Sequence, residues 1–389
     1  MEKILFLANS SHVSDEWFKF IKKKFRNSYP IYYGDLINQF GYLHFQNIFK
    51  NKLEQGYKKI LIDPNFNLNI YSLYKIKKKY KLKIVLLTCD DEYLFEKQTV
   101  FFSKISDFIL TSDYVSYLRL RQMNKATGLF HEPLTFDKSK NLSKKFDISF
   151  VGTIAKPGRK LFLKKLQKKF IIHIFDTSKK KISQNEIKKI YKQSKINLNF
   201  SSVSNTDFHI TKDFKINGFK GRVGKIFSNK SFCLSEYSLG LSKLFDFKPS
   251  IFFKSEKDLV KKVGFFLHHS AERKKVINKS TILLKKNCSS IEFIKKIRKG
   301  FESKLDNSSY YNNYHSILDE NYLSYFFISN LNSSLRILFQ RPFQGFLNFF
   351  YIFFITILLA FKIKNINIIK FIVETISLIL RKINAKLSS

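Results

Sequence analysis

The stretch GFKGRVGKIFSNKSFCLSEY, Gly218–Tyr237, sets Gly218, Gly221 and Gly224 among basic residues and closes on Ser235, Glu236 and Tyr237. Helical spacing follows Gly221, which puts Lys220 and Arg222 at the first turn of a short helix. Cations are disfavoured at that positive end of the helix dipole. A basic pair there makes physical sense when it shares an anion such as a pyrophosphate. Lysine is spread through the whole chain and arginine is not, so Arg222 carries more of this inference than Lys220. A second turn, FVGTIAKPGRK, runs from a strand ending at Gly152 and Thr153 through Pro157 and Gly158 to Arg159 at a helix start. Helical N–H groups without intrahelical partners, together with Arg159, suit a phosphate. Gly and Pro also punctuate ordinary strand-to-helix turns, so the second turn alone is weak evidence.

These turns need elements to hold them. KILFLANSSH, KKILIDPN, LKIVLLTCDDE and DFILTSD each contain a short, continuously apolar run, and helical patterns separate them. Continuous rather than alternating apolar runs predict strands buried on both faces of a parallel sheet. Their polar ends (Asn9-Ser10-Ser11, Cys89-Asp90-Asp91 and Ser112-Asp113) then line the carboxyl edge, where such folds bind ligands. A polar stretch, TFDKSKNLSKKF, reads as a linker, and the pattern restarts with DISFVGT, FIIHIF, INLNF, SFCLSEY and KPSIFF as strands. Ser183 with Glu186 and Ser255 with Asp258 have the spacing of helix N-caps. The fold class predicted is α/β, with one Rossmann-like domain over residues 1–140 and a second over 146–300. Residues 301–340 read as a polar spacer. Residues 341–389 read as an apolar and amphipathic helical tail.

That tail contains GFLNFFYIFFITILLAF, uncharged and flanked by Arg341, Lys362 and Lys364. Its length is at the lower edge of what crosses a bilayer. The next segment lines up Ile369, Val373, Ile376 and Leu380 on one stripe, a pattern suited to a membrane interface. A pair of core helices is the competing reading. The formal net charge of +40 favours an anionic partner. The basic residues form no compact stripe and no RNP-type or zinc-type motif, which argues against nucleic acid and for an anionic membrane surface. The three cysteines are widely spaced with no CxxC and no Cys/His cluster, so no disulfide framework is expected. The apolar run at Ile4 is too short for a signal peptide. Together these place the chain in the cytoplasm, at the inner face of the membrane.

The run from INLNFSS through GFKGRVGKIFSNKSFCLSEY to SAERKKV resembles the C-terminal domain of CgeB-like glycosyltransferases, relatives of the large group-1 glycosyltransferase family. The resemblance rests on Lys220-Gly221-Arg222-Val223, Phe232–Tyr237, Asp258-Leu259 and Ala271-Glu272-Arg273, with DISFVGT and Arg159 upstream. It covers roughly residues 60 to 285, because LLTCDDEYLFE and HEPLTFD are similar to the family's N-terminal half. It implies a GT-B fold of two Rossmann-like domains facing across a cleft. The second domain holds most of a nucleotide-sugar and the first holds a glycan or lipid-linked acceptor. No metal cofactor is implied. Gly152, Thr153, Arg159, Lys220 and Arg222 carry over as diphosphate contacts, and Glu236 as a polar group at the cleft. Two positions depart from the family pattern. Lys225 stands where an acid usually meets the donor ribose, and Lys230-Ser231 replaces a Gly-Gly turn. Either the donor differs, or a residue such as Glu236 takes over, or the domain has lost activity and only binds.

Inverting transfer to an acceptor hydroxyl needs a base. Candidates at the carboxyl edge of the first sheet are Asp91 and His12, with Asp90 beside them. A strand-end Asp is as readily a helix cap. His209 reads as a solvated loop residue.

Overall fold

Short runs rich in Ile, Leu, Val and Phe cannot remain exposed, and here each becomes a buried strand flanked by helices. A computed structural model describes residues 3–89, 91–137, 139, 142–154, 159–180, 182–201, 218, 221–246, 249–303, 320–361, 363, 369, 371–373 and 375–377. Two units emerge. The first is Met1–Thr111 with Ser116–Leu129 and Ile294–Ser389, and the second is Ser112–Val115 with Phe130–Phe293.

The chain begins with β1 (Ile4–Ala8), α1 (Ser11–Lys24), β2 (Tyr29–Tyr32), α2 (Tyr33–Phe40), α3 (Tyr42–Glu54), β3 (Lys59–Ile62), α4 (Ile70–Tyr80) and β4 (Lys83–Thr88). It continues through α5 (Asp91–Leu94), a π-helical turn at Phe95–Thr99, α6 (Val100–Ser103), β5 (Phe108–Thr111), α7 (Tyr114–Gln122) and β6 (Thr127–Leu129). All six strands pair in parallel, in the order β2-β1-β3-β4-β5-β6. Every residue of β1 is buried, as its continuous apolar run requires. The edge strands β2 and β6 lack such runs. Pro30 sits in β2, where an edge tolerates its missing N–H.

Asp107 ties this sheet to a helix. Its carboxylate accepts from the Ile84 N–H at 2.6 Å and meets Lys77 Nζ at 3.1 Å and Lys83 Nζ at 3.5 Å. Lys77 and Asp107 are both buried, so their charges depend on each other.

The second unit is built from β7 (Phe146–Val151), α8 (Arg159–Gln167), β8 (Ile172–Phe175), α9 (Gln184–Gln193), β9 (Ser194–Asn199), α10 (Arg222–Ser228) and β10 (Cys233–Glu236). It ends with α11 (Leu239–Leu244), a 3-10 turn at Pro249–Ile251, β11 (Phe252–Phe253), α12 (Glu256–His268) and α13 (Ser270–Asn287). Its parallel sheet has the order β11-β10-β9-β7-β8. Apolar clusters cover both faces, one around Phe150, Leu198 and Leu234 and the other around Val151, Phe227 and Cys233. The predicted caps form: Ser183 accepts from the Glu186 N–H and Ser255 from the Asp258 N–H, each at 3.2 Å.

The stretch read as a linker is held to the second unit at both ends. The Asp137 N–H donates to the Ser228 carbonyl, the Asp137 carboxylate pairs with Lys192 at 2.9 Å, and the Lys145 N–H donates to the Gln193 carbonyl.

After α14 (Ser290–Glu302) the described chain continues as α15 (Glu320–Gln340) and α16 (Pro342–Ala360), both within the first unit. The polar spacer expected at 301–340 thus contains a 21-residue helix. Its Ser and Asn residues misled composition because they face inward. Ser324, Asn330, Ser333 and Ser334 are all buried, and Ser333 Oγ donates to Asn38 Oδ1 at 2.7 Å.

Asp107→Asn should lower the unfolding free energy by about 3 kcal/mol or more, because it leaves Lys77 charged and buried without a counter-charge. Urea unfolding measures this, and a loss below about 0.5 kcal/mol would mean that the pair contributes no more than a surface site.

Candidate functional site

Both sheets are wound alike. The second strand of each lies on one side of the first, and every later strand lies on the other. Where the winding reverses, the loops at the carboxyl ends part, and α/β folds bind ligands there. The reversal lies between β1 and β3 in the first unit and between β7 and β9 in the second.

In the second unit β7 ends in Gly152 and Thr153, and the Gly152 N–H donates to the Phe175 carbonyl at 3.0 Å. Gly152 adopts φ +152°. A Cβ there would come within 3.0 Å and 3.1 Å of the two terminal nitrogens of Arg222 and 3.2 Å of Phe150 Cζ. Glycine thus lets the Arg222 guanidinium lie against the backbone. Arg159, at the start of α8, donates to the Thr153 carbonyl at 2.8 Å. Its guanidinium lies 5.6 Å from the ring centres of Phe150 and Phe200, and that of Arg222 lies 6.0 Å from Phe150.

On the β9 side, the Ser201 N–H donates to Glu236 Oε2 at 3.0 Å and its hydroxyl to the Glu236 carbonyl at 2.9 Å. Burial, aided by the nearby Arg222 and opposed by Glu236, pushes Arg159 down to about 10. Arg159 and Arg222 thus lie close enough to repel one another in a half-dry setting. An anion bound between them would relieve both the desolvation and the mutual repulsion.

The structure therefore brings together Gly152, Thr153, Arg159, Arg222 and Glu236. Lys220, Asp90 and His209 lie outside the described residues. So does the side chain of His12, whose backbone forms part of α1.

Asp91 is placed differently from its expected role as a base. It is 1% exposed and accepts hydroxyl hydrogen bonds from Thr88 and Thr111, each at 2.5 Å, and from Thr99. Its buried carboxylate fastens β4, β5 and the π-helical turn, which is the work of a structural anchor.

Three acids went unnoticed in the sequence. Glu132 packs against Gly221, where a Cβ would lie 2.3 Å from Glu132 Oε2, and this places a carboxylate at the start of α10. In the first unit Asp35 accepts from the Ser11 N–H at 2.8 Å, and Asp63 faces Ser14 Oγ at 3.5 Å, both beside the β1/β3 reversal. Asp63 ends the KKILIDPN run and was visible as a strand-end acid, whereas Asp35 follows an edge strand with no apolar signal. Lys230, at the expected Gly-Gly turn, keeps a left-handed φ of +54°. Among the described residues no three His, Cys, Asp or Glu side chains converge as a metal-binding group.

Gly152→Ala should lower stability by about 1 to 3 kcal/mol through backbone strain. The same change should weaken pyrophosphate binding by displacing Arg222. Urea unfolding and calorimetric titration read the two effects separately, and wild-type pyrophosphate affinity would show that Arg222 needs no such contact.

Residues 148–288 match the family model described as glycosyl transferase-like. Comparison with curated proteins gives no match. Among solved structures, T4 phage beta-glucosyltransferase aligns at 15% identity and TM-score 0.50, covering 78% of this chain and 100% of that one. The same phage enzyme in complex with its UDP-glucose substrate aligns at 14% identity and TM-score 0.48, with the same coverage. The apo form of the lipopolysaccharide outer core galactosyltransferase WaaB aligns at 12% identity and TM-score 0.48, again covering 78% and 100%. A glycosyltransferase-like domain over residues 148–288, in a fold of two Rossmann-like domains of the GT-B type, makes glycosyltransferase the enzyme class that these findings support.

Proposed function

We propose that the chain moves a sugar from a nucleotide-sugar donor to a glycan or lipid-linked acceptor in cell-surface polysaccharide synthesis, at the cytoplasmic face of the membrane and without a metal ion. The observation that carries this reading is the convergence of Arg159 and Arg222 beside Gly152 at the β7/β9 reversal. It lies inside the segment that matches the glycosyl transferase-like family.

In such a transfer the bond from the anomeric carbon to the diphosphate oxygen breaks, and a bond to the acceptor oxygen forms. The acceptor proton passes to a base, and negative charge accumulates on the departing diphosphate. Two fixed guanidiniums stabilise that charge as it develops. Both are held before substrate arrives, Arg159 by the Thr153 carbonyl and Arg222 against Gly152, so little reorganisation is needed. Phe150 and Phe200 keep the pair partly dry, which strengthens its hold on an anion.

Lys225 in place of the family's acid favours a second reading, in which the domain binds a nucleotide without turning it over.

Titration with UDP-, GDP-, CMP- and dTDP-sugars should raise the melting temperature with at least one donor. The stabilisation at a hundredfold excess over Kd should be about 2.7 kcal/mol. EDTA should leave it unchanged and Arg222→Ala should remove it. Absence of any nucleotide shift would sink the donor reading. A shift with no release of nucleoside diphosphate toward glycan or lipid-linked acceptors would select the binding-only reading.

A further inference from the structure

Helix α16 has its polarity reversed for a helix on a water-facing surface. Its outward stripe is Phe343, Phe346, Phe350, Phe354, Leu358 and Phe361, spaced three or four residues apart and all exposed, with Phe343 at 77% and Phe361 at 81%. Its inward side carries the polar residues: Asn348 and Thr356 are each 4% exposed. A surface helix of a soluble protein has the opposite arrangement. Contiguous apolar surface of this kind marks an interaction site. The last described residues repeat the pattern. Ile369, Ile372, Val373 and Ile376 are exposed, while Thr375 Oγ1 turns inward to Ser324 Oγ at 3.2 Å.

We propose that α16 is an in-plane docking helix that seats the protein on an anionic phospholipid bilayer through this phenylalanine face. Length and hydropathy alone would also allow it to span, since it has 19 residues and a mean hydropathy of 1.9. Its inward contacts exclude that. Asn348 accepts from the Tyr42 N–H at 2.7 Å and donates to Ser334 Oγ at 2.8 Å. Gln344 donates to the Phe40 carbonyl at 2.7 Å, and the Tyr351 hydroxyl to Gln46 Oε1 at 2.5 Å. These bonds fasten α16 along α3, which carries Lys50 and Glu54 on its exposed side. A spanning α16 would either strip the buried bonds or pull those charges into hydrocarbon.

Charge decides between a bilayer and a second copy of the chain. Arg336 on α15 and Arg341 at the start of α16 are exposed, Lys362 and Lys364 follow the stripe in sequence, and the net charge is +40. That charge attracts an anionic lipid surface and opposes association of two identical chains. The docking needs no nucleotide and does not depend on the transfer reading.

The test uses the full chain with vesicles of phosphatidylcholine, with and without phosphatidylglycerol. Wild-type protein should float with the anionic vesicles and bind them less as salt rises. The triple variant Phe346→Ser, Phe350→Ser, Phe354→Ser should lose about 100-fold or more in partitioning. These side chains are exposed, so its circular dichroism and melting temperature should match wild type. A fluorophore on Phe346→Cys or Leu358→Cys, quenched by nitroxide lipids, should report one shallow depth at both sites. Depths differing by about 18 Å, the rise of twelve helical residues, would mean a spanning helix and overturn the proposal. So would a chain that ignores the vesicles and sediments as a dimer that the triple variant dissolves.

Discussion

A parallel sheet wound in two directions must open at its carboxyl edge where the direction changes, and both sheets of this protein are organised around one such opening. In the second unit that constraint gathers residues far apart in sequence. Gly152 and Thr153 leave β7, Phe200 and Ser201 leave its neighbour β9, and Glu236 ends β10, the next one out. Arg222 reaches them only because Gly152 has no side chain to hold it off. Glu236 spends one carboxylate oxygen on the Ser201 N–H, fixing the β9 end to the β10 end. The pairing of Arg159 with Arg222 at the opening is therefore a product of topology as much as of composition.

The parts of this arrangement legible in sequence are those with local causes. Nine strands announce themselves because burial on both faces demands uninterrupted apolar runs, and two N-caps because Ser183 and Ser255 act within three residues. Gly152, Arg159 and Arg222 stand out because turn chemistry and a scarce arginine are local signals too. The misreadings have non-local causes. Asp91 has the same type and place as a catalytic acid, yet the hydroxyls that bury it come from positions 88, 99 and 111. Edge strands β2 and β6 take their pairing from neighbours rather than from hydrophobic content. Lys230 keeps a left-handed turn without glycine, which disfavours side chains by roughly 1 to 2 kcal/mol, so surrounding contacts rather than local preference set its backbone.

Helix α15, in the stretch read as a polar spacer, was misread for a related reason. Composition treats Ser and Asn as solvent-seeking, but a buried polar group is stable wherever it finds partners. Asn348 finds two, Asn330 reaches the Phe326 carbonyl at 2.9 Å, and Tyr322 reaches the Leu68 carbonyl at 2.5 Å. On α16 Asn348 and Thr356 share the inner side with Ile352 and Leu359, and Phe343, Phe346, Phe350 and Phe354 are left to the outer side. Amphipathic pattern alone marks two faces and cannot say which of them meets the core.

The same distinction between amount and placement applies to charge. Most of the +40 lies on exposed lysines, whose fields fade within a Debye length of about 8 to 10 Å at ordinary salt. Such charge sets a general attraction to anionic surfaces and confers no selectivity among them. Arg159 and Arg222 differ because they are packed against Phe150, away from bulk water, where screening is weak and a missing counter-ion is costly. Burial is the largest of the causes that hold Arg159 down at about 10. The chain's total charge and its paired guanidiniums are thus separate properties, and only the second depends on the fold.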